Sequence, residues 1–273
     1  MSVSLYITSG KGGVGKSTLT ANLGAALIAR GCSVVIIDAD IGLRSMDALL
    51  GLENEVVYDL IDVAKKDCSL SQALLVSHRV PGLNLLPASQ FARARDLEKN
   101  RLKKIIGELK QKFDYVLIDS PAGIERGFRT VLNAGIDESL LIVTPDDICI
   151  RDAERAAQVI EHKELPRPRI IVNRLDPDLI FRKEMLPARV IADTLDLPLL
   201  GEIPEDPAVY RSVLRHTLFM QYDCSARRAV LRIAGRLQGE IVPLPEIGLE
   251  RPSLWKRLLT HRNLKEVTPI DSH

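Results

Sequence analysis

Between an apolar run at residues 3–8 and a helical pattern that begins at Leu19, the chain reads Gly10-Lys11-Gly12-Gly13-Val14-Gly15-Lys16-Ser17-Thr18. Few sequences constrain a fold so tightly. The spacing G-x-x-x-x-G-K-[ST] describes a loop whose glycines let backbone N–H groups turn inward around phosphates at the start of a helix. The strand before it and the helix after it, carried by Leu19, Leu23, Ala26 and Leu27, supply the order such a loop needs. Gly10, Lys11, Gly12, Gly13, Val14, Gly15, Lys16, Ser17 and Thr18 are therefore the expected nucleotide-binding residues. Lys16 is expected to reach the β- and γ-phosphates, and Ser17 to reach Mg2+. Lys11 is not required by the generic loop, so it carries separate information.

The rest of the chain alternates short apolar runs with helical patterns, which predicts an α/β fold: a mostly parallel, twisted sheet with helices on both faces. Strands are expected over 3–8, 33–38, 83–86, 115–119, 140–144, 170–173 and 199–202, most of them continuous apolar runs suited to burial on both faces. A chain of 273 residues, 46% of them apolar, can bury one large core. The helical run 227–237 is followed by Val242-Pro243-Leu244-Pro245, then by Arg251-Pro252, which break regular structure. We expect a P-loop domain at 1–240, a linker at 241–252, an amphipathic helix at 253–264 and a flexible tail at 265–273.

Charge and cysteine usage narrow the function. Lys plus Arg is 37 and Asp plus Glu is 36, so the net charge of +1 lacks the basic excess of a sequence-independent nucleic-acid binder. No nucleic-acid partner is expected. Cys32, Cys68, Cys149 and Cys224 are scattered without a C-x-x-C, which speaks against a zinc or iron–sulfur site and against a disulfide framework. No apolar stretch approaches the ~20 residues that cross a bilayer, and the N-terminus enters a strand at once. The expected location is the cytoplasm and the cytoplasmic face of the inner membrane.

Three carboxylates stand at strand ends. Tyr115-Val116-Leu117-Ile118-Asp119 is an apolar strand ending in an aspartate, the Walker B pattern, and Asp119 is expected to hold Mg2+ through water. Asp38 and Asp40 end the second strand, and one of them can orient an attacking water. Asn173-Arg174-Leu175-Asp176 carries arginine where the guanine-reading N-K-x-D has lysine, which favours ATP over GTP.

The string Lys11 to Ser17, with Asp38-Ala39-Asp40-Ile41-Gly42-Leu43-Arg44, Asp119-Ser120-Pro121-Ala122-Gly123-Ile124-Glu125 and Ile203-Pro204-Glu205-Asp206, resembles the MinD/ParA family of deviant Walker A ATPases over nearly the whole chain. The resemblance implies a slow, Mg2+-dependent, partner-stimulated ATPase that dimerises on ATP. It implies that Lys11 reaches the phosphates held by a second subunit. It gives Asp40 the attacking water, Asp38 a supporting place, and Asn173, Pro204 and Glu205 the adenine. It also implies a role in septum positioning with a MinC-like inhibitor and a MinE-like activator as partners. A flagellar-number regulator of the same class, or a ParA-like DNA-partition ATPase, remains the alternative.

Near the C-terminus, Leu254, Trp255, Leu258 and Leu259 recur on one helical face while Lys256 and Arg257 take the other. A short basic amphipathic helix of this kind suits the interface of an anionic membrane surface. One such helix binds weakly; two on a dimer bind together through effective concentration.

Overall fold

The computed structural model describes residues 2–121, 123–124, 126–163, 165–245 and 247–248. These form one sheet of eight strands: β1 (Val3–Thr8), β2 (Val34–Asp38), β3 (Leu75–Val76), β4 (Leu83–Leu86), β5 (Tyr115–Asp119), β6 (Glu138–Val143), β7 (Arg169–Leu175) and β8 (Leu199–Pro204). Their order is β3-β4-β2-β5-β1-β6-β7-β8, and every neighbouring pair is parallel except β3 with β4. A parallel sheet needs helical cover on both faces, so its central strands must be apolar throughout. Leu5, Tyr6 and Ile7 of β1 and Val116, Leu117 and Ile118 of β5 are accordingly fully buried.

The first helix, α1 (Lys16–Ala29), is buried between the sheet and the helix Ser225–Leu237, so apolar residues surround most of it. Beyond Leu237 the described residues add no helix or strand. None of the described helices is long and apolar enough to cross a membrane.

Three strands run further than the sequence predicts, and one of them, β8, continues past Glu202 to Pro204. β6 starts at Glu138 because Glu138 and Ser139 pair with Leu5 and Tyr6, and side-chain polarity does not prevent backbone pairing. β7 continues past Asn173 to Leu175 through an irregular register. The two-residue β3 was not anticipated, since so short a strand leaves no periodic signal.

The phosphate-binding loop is braced from behind. A Cβ on Gly10 would lie 2.3 Å from the backbone oxygen of Asp152 in the helix Asp147–Glu161, so the loop and that helix touch backbone to backbone. Gly10→Ala should destabilise the fold by about 1–3 kcal/mol through overpacking, read as a lower urea midpoint. An unchanged midpoint would show that this contact does not form.

Candidate nucleotide site

The site is assembled at the carboxyl ends of the central strands, where open α/β sheets place their ligands. Asp119 is the last residue of β5 and lies in register with Ile7 of β1 on one side and Asp38 of β2 on the other. The strand β5 thus separates β2 from the strand that feeds the loop, and Asp38 reaches the site through its neighbour Asp119. Both carboxylates are completely buried.

Asp119 collects three side chains from the loop and the first turn of α1. The Lys16 ammonium is 3.2 Å from Oδ1, the Ser17 hydroxyl donates to Oδ2 at 2.6 Å, and the Thr20 hydroxyl donates to Oδ1 at 2.9 Å. Thr20 was not singled out from the sequence, although it stands one helical turn after Lys16 and so faces the same way. Gly15 caps α1 at φ +91° with no side chain, and the first turn holds no acidic residue. The helix N-terminus is left free to meet an anion.

Asp38 accepts hydrogen bonds from the Asp40 N–H at 3.0 Å and the Met46 N–H at 3.3 Å. Burial, with the Asp119 charge next to it, still pushes its carboxyl up to about 7. Asp40 is half-buried and faces the cavity; burial raises its pKa while Lys16 draws it down.

These residues fit a hydrated Mg2+ bound with a nucleotide. Asp119 and Asp38 are buried side by side with Lys16 against Asp119 alone, and the Ser17 hydroxyl and an Asp119 carboxylate oxygen converge within 2.6 Å. Among the described residues no three His, Cys, Asp or Glu side chains gather as a metal cage. The protein would therefore supply few ligands, with phosphates and waters completing the shell, as Mg2+ prefers.

A cavity of about 850 Å3 opens in front of this cluster. Its lining includes Lys11, Gly12, Gly13, Gly15, Lys16, Ser17, Thr18 and Asp40 from the loop and strand ends, Ile203, Pro204, Glu205, Val209, Tyr210 and Phe219 from β8 and the segment after it, and Asn173. Charged and apolar lining residues together suit a phosphate chain joined to a planar base. Val209 and Tyr210, on the helix Pro207–Leu214, and Phe219, on a short 3-10 turn, were missed because apolar residues on such elements carry no motif. Gly10 and Val14 lie behind the wall: Gly10 meets Asp152, and the Val14 carbonyl accepts from the Asn173 amide at 2.8 Å.

Lys11 stands on the rim and turns away from Asp119. Its ammonium is 3.0 Å from Asp146, the N-cap of the helix Asp147–Glu161. Desolvation works against the charge on Asp146, but hydrogen bonds from Thr144, the Cys149 N–H and Lys11 hold its carboxyl below the ordinary range. No sequence signal links Lys11 to Asp146, 135 residues away.

A mostly parallel sheet that brings a glycine loop, its lysine and a strand-end aspartate to one point defines a P-loop NTPase, and Lys11 places it in the deviant Walker A class. The model of the ParA family, described as NUBPL iron-transfer P-loop NTPase, matches residues 1–238. The septum site-determining protein MinD of Helicobacter pylori is 42% identical over 92% of this chain and 96% of its own length. Among solved structures, the MinC:MinD cell division complex of Aquifex aeolicus aligns at a TM-score of 0.80, with 37% identity over 92% of this chain and 99% of that one. MinD of Pyrococcus horikoshii complexed with Mg-ADP aligns at 0.78, with 29% identity over 87% and 96%. The chain belongs to the MinD family of septum site-determining proteins within the ParA class. The membrane residues expected at Leu254, Trp255, Lys256, Arg257, Leu258 and Leu259 lie outside the described residues, as do the rest of the expected helix at 253–264, the expected tail at 265–273, and residues 246 and 249–252 of the expected linker.

Proposed function

We propose that this protein is an ATP-driven peripheral membrane ATPase that dimerises on ATP and positions the division septum by carrying a division inhibitor to the membrane. The observation that carries the reading is the pair of lysines with opposite bearings. Lys16 is buried on Asp119, which suits the protein's own nucleotide, while Lys11 is partly exposed and held only by Asp146, which supports a reach toward a nucleotide on a second copy.

In phosphoryl transfer the protein mainly positions groups and neutralises developing charge. Lys16 would hold the β- and γ-phosphates, and Lys11 of a facing protomer would add a second cation as charge develops on the transferred group. Ser17 and Asp119, through water, would hold Mg2+, which supplies charge neutralisation between the phosphates. Asp40 accepts a hydrogen bond from the attacking water and aims it, with Asp38 fixing the turn through the Asp40 N–H. Asn173, Pro204 and Glu205 border the base. One N–H of Asn173 is committed to Val14, and its carbonyl oxygen suits the adenine amino group, whereas guanine presents an acceptor there. Hydrolysis is slow until a MinE-like activator acts. The MinC in the Aquifex complex supports a MinC-like inhibitor as the second partner.

Sedimentation with anionic liposomes tests the cycle. Wild type should pellet with ATP and remain soluble with ADP, and Trp255→Glu should abolish pelleting while leaving nucleotide binding intact. Absence of pelleting with either nucleotide would sink the membrane reading. Salt-sensitive retention on DNA in its place would favour the DNA-partition alternative.

A further inference from the structure

Asn173 and Arg174 break the register of β7. Val172 pairs with Glu202 and Leu175 with Pro204, so β7 spends three steps where β8 spends two. One residue is extra, which is a β-bulge, and Arg174 within it has φ +61°, a left-handed conformation that arginine adopts only under constraint. In a regular strand, successive side chains point to opposite faces. Here both reach the same neighbour. The Asn173 amide donates to the Val14 carbonyl at 2.8 Å, and the Arg174 guanidinium donates to the Gly13 carbonyl at 2.9 Å.

Those two carbonyls belong to consecutive peptide planes of the phosphate-binding loop. In a trans peptide the C=O of one residue and the N–H of the next point in opposite directions. Fixing the Gly13 and Val14 carbonyls toward β7 therefore fixes the Val14 and Gly15 N–H groups away from it. We infer that the bulge at Asn173–Arg174 is a carbonyl clamp that presets the phosphate-binding N–H groups of the loop, with Arg174 and Asn173 acting as positioning residues rather than as base readers alone. Gly15 shows how closely the clamp sits, for a Cβ there would lie 2.8 Å from the Asn173 amide nitrogen. A loop rich in glycine needs such a restraint, because its peptide planes turn freely otherwise. The inference rests on the P-loop reading of residues 10–18, and its test separates phosphate from base.

Full-length protein is titrated with a fluorescent ADP analogue and, in competition, with Mg-pyrophosphate, which has phosphates and no base. Arg174→Ala should weaken both ligands in parallel, about tenfold for loss of one charge-donated bond that orders the loop, and Asn173→Ala should weaken pyrophosphate by about as much and the ADP analogue by more, since it also removes the base contact. Arg174→Lys keeps a donor and should recover part of the loss. Arg174→Gly accepts the left-handed backbone without strain, so it should raise the melting temperature relative to Arg174→Ala yet bind pyrophosphate no better. A loss confined to the ADP analogue would overturn the clamp in favour of a base contact. Unchanged binding of both ligands would overturn it outright. If wild type itself failed to bind pyrophosphate or ADP, the P-loop reading would be at fault, and the two failures are distinguishable on that ground.

Discussion

Lys16→Ala loses Mg-ADP binding by at least about 100-fold, and it also lowers the stability of the nucleotide-free protein. The first effect follows from removing charge-assisted hydrogen bonds to phosphate, each worth roughly 1.5–3 kcal/mol. The second follows from burial. Lys16 is 7% exposed and Asp119 is not exposed at all. Removing one partner of a buried pair leaves a charge without compensation, at about 3 kcal/mol or more. Urea denaturation at pH 8 measures the second effect. It should shrink at pH 5, where Asp38, in register beside Asp119, holds a proton. A variant with wild-type stability at both values would mean that the Lys16–Asp119 pair does not form in solution.

The nucleotide-free protein should lose stability as pH rises from about 4 to about 7, and Asp38 is the cause. Its carboxyl titrates at about 7 in the fold against 3.8 when unfolded, first because of burial and then because of Asp119. The folded state therefore holds more protons across that window, and stability falls as pH increases through it. Below pH 4 both states are protonated and the contribution is fully present; above about 7 it is gone. The shift corresponds to a loss on the order of 4 kcal/mol. Asp38→Asn cannot titrate, so the stability difference between variant and wild type, measured by urea in EDTA, should change by a few kcal/mol between pH 4 and 7.5. Parallel pH profiles would show that Asp38 is ionised in the fold at no expense.

The phosphate-binding loop, the central strands and the strand-end aspartates could be read from residues alone, because each couples local geometry to a fixed spacing. The strands β1, β4 and β5 fall at the expected boundaries, since each is an apolar run flanked by polar residues or turn formers. Long-range geometry was less legible. The insertion of β5 between β1 and β2, which brings Asp38 beside Asp119, depends on strand order and has no local signature. The Lys11–Asp146 pair and the β7 bulge depend on tertiary packing in the same way. Asn173 was visible as a turn-prone residue after a strand, but its bond to Val14 spans 159 positions. Thr20 is a different case: its spacing from Lys16 was available, and only the Walker B partner gives that spacing meaning.

The two lysines of the loop answer differently to mutation. At Lys16, function and folding depend on one buried pair, so few replacements leave a folded protein with altered chemistry. The Lys11–Asp146 pair has side chains 38% and 46% exposed, and such surface pairs contribute about 0–1 kcal/mol. A phosphate group that approaches the rim can draw Lys11 away from Asp146 with little thermodynamic resistance, and replacing Lys11 leaves the core intact. Replacements at position 11 can thus change the charge at the mouth of the cavity without risking the stability of the fold.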